Sequence, residues 1–418
     1  MTTPRRLKTQ SSDWAEGTQV VHAGEERASA FGAVGTPIIQ SSTFVFDDNR
    51  DLENYLAGDA DRHLYTRWSN PTVDVAEAKL AAIEGSEGAL AFSSGMAAIS
   101  AAVLSYVRKG DRILALDSIY GGTYELFSKI CPTWGIEVTW AAADELVAAV
   151  ASSDPLPRLV YFESPTNPNL RVVDIEAVTK AARKRGIPVI MDNTFATPIL
   201  QKPIALGVDL AVHSGTKYLA GHSDLVCGLV AGSTEQLKKV FEFRKLLGGV
   251  LNAGSAALLV RGMKTLELRV ERQCHNAQKL ADFLSGHPTV EQVHYPGLAA
   301  DVYHKIASKQ MKAFTGMLAF TVRGGLEAAR RVTDRLKLVL YAPSLGGVES
   351  VASLPVRTSH LHYTPEDLKR AGITEGMIRI SCGIEAAGDL IADLGQALDS
   401  EANTDREEHG RYVARGTS

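Results

Sequence analysis

Short apolar runs alternate with segments of helical periodicity through the middle of the chain, and this alternation is the feature that most constrains the fold. Strands that alternate with helices in this way form βαβ units and a mostly parallel sheet. The helical segments are residues 73–83, 97–107 and 175–185. The apolar runs expected to be strands are residues 89–92, 112–116, 159–162, 188–191, 210–212 and 225–230. The sequence therefore predicts an α/β domain over residues 65–255.

A second, smaller domain is expected after the α/β domain. Helical periodicity runs over residues 256–284, which is long for a globular helix, so we expect one helix that links two domains. A strand at residues 317–322 and a helix at residues 326–335 predict an α+β domain over residues 256–398. Polar residues without an apolar period predict a disordered tail over residues 399–418.

The charge and hydropathy of the chain restrict its partners. A formal net charge of -4 gives no long-range attraction to nucleic acid or to anionic lipid. No apolar stretch is long enough to cross a bilayer, and no apolar segment follows the arginines near the start of the chain. We therefore expect a cytoplasmic protein that binds small molecules and neither nucleic acid nor a membrane.

Cysteine and histidine spacing indicates neither a disulfide scaffold nor a metal site. His360 and His362 stand close together, yet no third ligand accompanies them at metal-binding spacing. The four cysteines, which are far apart and are expected to be reduced and mostly buried, are Cys131, Cys227, Cys274 and Cys382.

Polar residues follow several of the predicted strands. Ligands of open α/β sheets bind at the carboxyl ends of the strands, so these residues are candidates for a binding site. SSGMAA follows residues 89–92 and leads into a helix, where the backbone N–H groups of Gly95 and Met96 could bind a phosphate. Asp192 follows residues 188–191, and HSGTKY, which contains Lys217, follows residues 210–212.

Pyridoxal 5'-phosphate (PLP) is the cofactor that needs this combination of groups. PLP requires a lysine for its Schiff base, a carboxylate to keep its ring nitrogen protonated and donors for its phosphate. We assign these roles to Lys217, to Asp192, and to Ser214 with Thr216. Each motif alone is usually a helix cap or a solvated residue, and the prediction depends on their order along successive strands. Neither GxGxxG nor a P-loop motif follows these strands.

Further motifs extend the pattern along the chain. They are YTRWSNPT at residues 65–72, SSGMAA at 93–98, YGGT at 120–123, ESPTNP at 163–168, DNTFATP at 192–198, HSGTKYLAGHSD at 213–224, SLGGVES at 344–350 and RISCGIE at 379–385. In these motifs, over residues 17–398, the chain resembles the Cys/Met-metabolism PLP enzymes: cystathionine γ-synthase, cystathionine γ-lyase, methionine γ-lyase and the O-acylhomoserine sulfhydrylases. The resemblance implies fold type I of the PLP-dependent transferases, like aspartate aminotransferase, with a large, mostly parallel sheet domain and a smaller α+β domain.

The same resemblance implies an oligomer with shared sites. Tyr65 and Arg67 would bind the cofactor phosphate of a neighbouring subunit, so residues 1–64 would form an arm that contributes to the neighbour's site. A homodimer or a homotetramer is therefore expected.

Substrate and ring contacts are also implied by the resemblance. Tyr120 would stack on the cofactor ring and help to transfer protons, and Asn167 would contact both cofactor and substrate. Arg379, with Ser344 and Asn167, would hold the α-carboxylate of the substrate, a role that suits a bidentate guanidinium.

The implied reaction is γ-replacement or γ-elimination on an amino acid with a substituent at Cγ, with Lys217 moving protons. ESPTNPNLRVVDIE and APSLGG look most like cystathionine γ-synthases, which favours γ-replacement. Pro343 stands where γ-lyases for cystathionine and many bacterial synthases carry a glutamate, and Gly122 stands where many methionine γ-lyases carry a cysteine. The alternative is a γ-lyase that acts on cystathionine or methionine. A non-catalytic PLP-binding protein and a fold-related aminotransferase also stay open.

Glu125 provides one further alternative. It follows Tyr120 by five residues, where related enzymes place an arginine that faces the distal end of the substrate. A carboxylate there would repel a distal carboxylate and favour a cationic group, such as the guanidinooxy group of canavanine. Glu125 is therefore a candidate substrate-binding residue for a γ-lyase, or else a solvated helix residue.

Overall fold

The larger of two sheets has seven strands in the spatial order β1-β7-β6-β5-β4-β2-β3. The computed structural model describes residues 14–25, 32–60 and 62–415, with side chains described as far as residue 402. The strands are β1 Gly88–Phe92, β2 Arg112–Leu116, β3 Glu137–Ala141, β4 Leu159–Glu163, β5 Val189–Asp192, β6 Leu210–His213 and β7 Gly228–Gly232. Strands β3, β2, β4, β5 and β6 run parallel, whereas β7 pairs antiparallel with both β6 and β1. The predicted mostly parallel sheet is confirmed.

Helices precede, connect and follow these strands. They are α1 Glu16–His22, α2 Asn49–Ala57, α3 Pro71–Glu84, α4 Gly95–Leu104, α5 Gly121–Glu125, α6 Cys131–Thr133, α7 Leu146–Ser152, α8 Ile175–Lys184, α9 Thr197–Leu200 and α10 Thr234–Leu247, with a π-helix at Leu126–Ile130. Strands β4, β5 and β6 are buried along their whole length, because helices cover both faces of a parallel sheet.

The second sheet has five strands in the order β10-β11-β12-β9-β8. They are β8 Val290–His294, β9 Met317–Val322, β10 Leu340–Tyr341, β11 Val351–Ser353 and β12 Met377–Ser381. The helices of this region are α11 Ala253–Met263, α12 Leu266–Ser285, α13 His304–Gln310, α14 Gly325–Asp334, α15 Pro365–Ala371 and α16 Ala387–Arg415, with a 3-10 turn at Pro355–Arg357. The smaller sheet agrees with the α+β arrangement expected for this part of the chain.

The single linking helix predicted over residues 256–284 is wrong. The chain leaves helical geometry at Thr265, which has φ -110° and ψ 11° and separates α11 from α12. The guanidinium of Arg269 donates to the carbonyl oxygens of Gly262 and Tyr218 and to the Thr265 hydroxyl. These bonds satisfy a helix-end carbonyl and so stabilise a break that apolar periodicity does not reveal.

The expected start of a disordered tail at residue 399 is also wrong. Helix α16 continues across this position, and Glu401 is fully buried. Its carboxylate accepts hydrogen bonds from Arg331 and Arg335. An ion-paired carboxylate therefore attaches residues 399–402 to the fold, and apolar patterning cannot detect that attachment. The other domain boundaries stay predictions.

No helix in the described parts of the chain is long and apolar enough to span a membrane. The same residues contain no group of three or more His, Cys, Asp or Glu side chains that could hold a metal ion. All four cysteines are buried and unpaired.

Candidate active site

A cavity of about 710 Å³ lies at the carboxyl ends of β1, β4, β5 and β6. The second sheet closes part of it through Arg379 of β12 and through the loop that carries Ser344. The predicted site residues in its lining are Lys217, Asp192, Ser214, Thr216, Gly95, Met96, Tyr120, Asn167, Ser344 and Arg379. Residues from both sheets therefore meet in one cavity.

The start of α4 forms one end of the cavity. The Ser94 side chain caps this helix by accepting a hydrogen bond from the Ala97 backbone N–H. A Cβ atom on Gly95 would lie 3.1 Å from the Cβ and Oγ atoms of Ser214, so glycine allows the helix start to approach Ser214. Helix-start N–H groups next to a serine hydroxyl suit a phosphate. Thr216 is a weaker donor than expected, since its hydroxyl already donates to the Cys227 carbonyl.

The Lys217 amine contacts Ser344, which lies in the loop between β10 and β11 of the second sheet. Its Nζ donates to Ser344 Oγ at 2.7 Å. Burial, together with the positive charge of Arg379, lowers the pKa of Lys217 to about 8. Ser344 has φ 94°, a left-handed conformation that costs a non-glycine residue about 1–3 kcal/mol and that clusters at functional sites. The strained serine thus contacts the amine expected to bind the cofactor.

Two buried carboxylates lie side by side at the ends of β4 and β5. Glu163 and Asp192 are paired in the parallel register of these strands. Asp192 accepts a hydrogen bond from the Thr194 backbone N–H at 2.8 Å, which favours its ionised form. Burial and the charge of Asp192 raise the pKa of Glu163 well above its ordinary value. Burial also raises the pKa of Asp192, against the hydrogen bonds from Thr194, and the rise is greater for Glu163, which is therefore the member of the pair that holds a proton.

Glu163 also positions Tyr120. Its carboxyl oxygen Oε1 accepts a hydrogen bond from the Tyr120 backbone N–H at 2.8 Å. This N–H lies at the start of α5, so the bond fixes the point from which the tyrosine ring projects into the cavity. The sequence prediction missed Glu163, although the residue opens the ESPTNP motif and directly follows an apolar run.

Arg379 forms the opposite side of the cavity. Its Nη1 donates to Asn167 Oδ1 at 2.9 Å, and its Nη2 donates to the Ser344 carbonyl at 3.0 Å. The side chain is only 4% exposed, and its buried Nε has no hydrogen-bond partner among the described residues. Burial lowers the pKa of Arg379 to about 10, which still leaves the guanidinium charged at neutral pH. An unsatisfied, buried cation suits a carboxylate ligand.

His360 is a further residue that the sequence prediction did not place in the site. Its Nε2 lies 3.1 Å from the Asn167 carbonyl and 3.2 Å from the Ile119 carbonyl, and its Nδ1 lies 2.8 Å from Ser359 Oγ. Burial and the nearby Arg379 charge lower the pKa of His360 to about 3, so the ring is neutral. The neutral His360 ring can donate from Nε2 to these carbonyls. It thereby holds the segment that follows the 3-10 turn against the loop that precedes α5.

Three predicted site residues lie outside the lining of this cavity. Arg67 donates from Nη1 to the Lys245 carbonyl at 2.6 Å, and its guanidinium carbon lies 5.7 Å from the centroid of the Tyr65 ring. Glu125 forms an ion pair with Lys129 at 3.2 Å, and its Oε1 lies 3.4 Å from His362 Nε2. The structure thus brings no Glu125 carboxylate into the described lining, because the carboxylate contacts Lys129 and His362 instead.

These residues fit PLP. The cavity provides an amine of lowered pKa, a carboxylate on a strand end and free donors at a helix start, which are the groups that the cofactor needs. Arg379 provides a separate place for a substrate carboxylate.

Comparisons with known proteins give the same assignment. The family model described as Cys/Met metabolism PLP-dependent enzyme matches residues 17–399. L-methionine gamma-lyase of Pseudomonas putida is 42% identical over 387 residues, which cover 92% of this chain and 97% of that protein. Cystathionine gamma-synthase of Mycobacterium leprae is 40% identical, with 91% of this chain and 96% of that protein covered.

A solved structure of cystathionine gamma synthase from Xanthomonas oryzae pv. oryzae, in complex with cystathionine, has a TM-score of 0.87 to this chain. The two are 38% identical, and the match covers 94% of this chain and 99% of the other. The chain belongs to the Cys/Met-metabolism family of PLP-dependent enzymes. It is therefore a PLP-dependent enzyme of the γ-lyase and γ-synthase type with fold type I.

The lowered pKa of Lys217 predicts how the apoenzyme takes up its cofactor. Only the neutral amine attacks the PLP aldehyde, so the recombination rate should rise with pH and level off above about pH 8. Stopped-flow absorbance after mixing apoenzyme with PLP measures this rate. Arg379→Gln removes a positive charge near the amine and should move the midpoint to higher pH. A rate that still rises steeply near pH 10 in the unmodified enzyme would contradict the assignment.

Glu163 should act as a neutral acceptor. Glu163→Gln keeps the oxygen that accepts from Tyr120 and should leave kcat/KM within about threefold of the unmodified enzyme. Glu163→Leu leaves the Tyr120 N–H unpaired at a cost of about 1–3 kcal/mol and should lower kcat/KM by about tenfold or more. Steady-state kinetics across pH compares the two variants. Equal losses in both would show that the ionised carboxylate is required.

Proposed function

We propose that this enzyme catalyses γ-replacement on an amino acid with a leaving group at Cγ, as a cystathionine γ-synthase-like enzyme. The observation that carries the proposal is the double contact of Ser344. Its hydroxyl accepts from Lys217 and its carbonyl accepts from Arg379, so the amine and the carboxylate clamp share one residue. A substrate held by its α-carboxylate on Arg379 then has its α-carbon near the Lys217 amine.

Each residue has a separate task in this proposal. Arg379, supported by Asn167 and Ser344, binds the α-carboxylate of the substrate. Bound PLP supplies the electron sink, and Asp192 keeps the ring nitrogen protonated. Lys217, whose lowered pKa leaves a fraction of the amine neutral near pH 7–8, removes the proton from Cα.

The later steps also need a proton carrier. A second proton leaves Cβ, and the Cγ substituent departs with its bonding electrons. A thiol nucleophile such as cysteine then adds at Cγ through its sulfur, and protons return to Cβ and Cα, which gives a thioether. If no nucleophile adds, water releases 2-oxobutanoate and ammonia. Lys217 carries these protons, and Tyr120, which Glu163 positions in the same cavity, assists it.

Two features of the cavity weigh on the choice between a synthase and a γ-lyase. Pro343 lines the cavity directly before Ser344, so this position supplies no carboxylate, which counts against a cystathionine γ-lyase and equally against the bacterial synthases that carry a glutamate there. A Cβ atom on Gly122 would lie 2.6 Å from Cε1 of Tyr120, so a larger residue there would displace the tyrosine ring.

A γ-lyase acting on a thioether stays the runner-up, since the relatives include L-methionine gamma-lyases and a cystathionine gamma-lyase. A cationic substrate such as canavanine is disfavoured because the Glu125 carboxylate already contacts Lys129 and His362.

The proposal includes a shared site in a homodimer or a homotetramer. Tyr65 and Arg67 lie outside the lining of their own chain's cavity, and both are at least partly exposed. The phosphate end of that cavity is lined by Gly95, Met96 and Ser214, which are uncharged. Arg67 of a second subunit would supply the missing positive charge. The cytoplasmic location stays a prediction.

A substrate panel tests the proposed reaction. O-Succinylhomoserine, O-acetylhomoserine, methionine, cystathionine and canavanine are each assayed for 2-oxobutanoate, with and without cysteine. The proposal predicts cystathionine from a homoserine ester and cysteine, and slower 2-oxobutanoate release from that ester alone. The Lys217→Ala variant should show no turnover above background. Release of 2-oxobutanoate from a thioether, with no thioether formed from either ester, would establish the γ-lyase instead.

Hybrid dimers test the shared site. An Arg67→Ala subunit and a Lys217→Ala subunit are each expected to be inactive or nearly so on their own. One site of the mixed dimer would contain both intact residues, so about half of the unmodified activity per dimer should return after mixing. Tagged subunits allow purification of the hybrid before assay. A verified hybrid without recovered activity would contradict a site built from two subunits.

A further inference from the structure

Arg357 is a cavity-lining cation that the proposed reaction steps do not use. It lies at the end of the 3-10 turn Pro355–Arg357, and its side chain is exposed to the cavity space. Three cationic side chains line this cavity in the described part of the chain: Lys217, Arg379 and Arg357. Lys217 and Arg379 already contact Ser344, which leaves Arg357 available for a ligand.

The segment that follows Arg357 is fixed beside Tyr120. His360 bonds to the carbonyls of Ile119 and Asn167, as described above. A Cβ atom on Gly121 would overlap with the carbonyl oxygen of Ser359, so the two segments are in backbone contact. Thr358 and Ser359 also line the cavity. Arg357 is therefore presented from a rigid turn and does not belong to a loose loop.

No carboxylate in the described parts of the chain neutralises Arg357. None of the described residues accepts a hydrogen bond or forms an ion pair with its guanidinium. The two carboxylates that line the cavity, Glu163 and Asp192, are buried at the strand ends and are engaged with Tyr120 and Thr194. Glu125 is paired with Lys129 and His362. An unpaired guanidinium in a cavity favours an anionic group of the substrate.

We infer that Arg357 binds an anionic group carried by the Cγ substituent and so selects homoserine esters with a distal carboxylate over esters without one. The inference rests on the proposed γ-replacement function and names its substrate class. The α-carboxylate of the same substrate is assigned to Arg379, so the two arginines would bind opposite ends of a dicarboxylate. A fork-shaped guanidinium suits a carboxylate better than a lysine ammonium does.

Two esters that differ in one charge test this inference. O-Succinylhomoserine ends in a carboxylate, and O-butanoylhomoserine has a methyl group in that place. Without a thiol, each ester takes up one water and releases its acid, 2-oxobutanoate and ammonia, so 2-oxobutanoate reports both reactions. The variants are Arg357→Gln, which removes the charge, and Arg357→Lys, which keeps it without the fork. Arg330→Gln is the matched control, because Arg330 is exposed and pairs with Glu327 on α14.

Arg357→Gln should lower kcat/KM for the succinyl ester by about tenfold or more, which corresponds to about 1.4 kcal/mol. It should leave kcat/KM for the butanoyl ester within about twofold of the unmodified enzyme. For the succinyl ester, Arg357→Lys should give a kcat/KM between those of the unmodified enzyme and Arg357→Gln. Arg330→Gln should change neither value. Equal losses on both esters would show that Arg357 binds the shared α-carboxylate, and no loss on either would show that it binds neither group. Both results would overturn the inference.

Cysteine also carries a carboxylate, so a second experiment asks whether Arg357 binds the leaving group or the nucleophile. With O-butanoylhomoserine held constant, Arg357→Gln should leave the KM for cysteine unchanged. A selective rise in that KM would assign Arg357 to the nucleophile and would also overturn the inference.

Failure of the proposed function is distinguishable from failure of this inference. If neither ester is turned over, the proposed function fails, and titration of the cofactor absorbance with each ester still gives two dissociation constants. Arg357→Gln should then weaken binding of the succinyl ester alone. Equal effects on both dissociation constants would reject the role of Arg357.

Discussion

The hydrogen bond between Lys217 Nζ and Ser344 Oγ is the contact on which the rest of the site depends. Lys217 follows strand β6 of the first sheet, whereas Ser344 belongs to the loop between β10 and β11 of the second. The loop reaches the lysine because Gly346 has no side chain: a Cβ atom there would lie 2.6 Å from the Tyr218 backbone nitrogen. The Gly346 N–H also donates to Ser381 Oγ, so the loop is fixed to β12, the strand that carries Arg379. One loop thus couples the cofactor amine to the substrate clamp.

Burial controls the charges around this contact. It lowers the pKa of Lys217, which makes a neutral amine available, and it raises the pKa of Glu163 beside Asp192, which favours a protonated Glu163. It also keeps His360 neutral, so this ring serves as a fixed donor and not as a proton carrier. The same low-dielectric environment strengthens the electrostatic attraction between the charged Arg379 guanidinium and a bound carboxylate. The protonated Glu163, the partly neutral Lys217 and the charged Arg379 therefore differ in charge state because their environments differ.

Local patterns in the sequence predict the strands and the residues at their ends. Residues 112–116 and 317–322 match β2 and β9. Lys217 and Asp192 line one cavity, as expected for residues at the carboxyl ends of neighbouring strands. Strand β3 was missed because it is the edge of its sheet, with Glu137 exposed and three of its five residues half-buried, so no continuous apolar run marks it.

The features that escaped prediction depend on contacts between distant parts of the chain. The helix break at Thr265 requires Arg269 and the Tyr218 carbonyl, and the role of Glu163 requires the backbone of Tyr120. The displacement of Glu125 from the cavity depends in part on His362, which is far away in sequence. Periodicity reports local burial and cannot reveal such pairings.

The position of the cofactor bond tests the central claim most directly. Borohydride reduction of the holoenzyme converts a lysine-bound PLP into a stable secondary amine, and peptide mass spectrometry then locates the added mass. The account predicts the modification on Lys217 alone, because this lysine combines a lowered pKa with the carboxylate and phosphate-binding groups of one cavity. Modification of a different lysine, with Lys217 recovered unmodified, would contradict it.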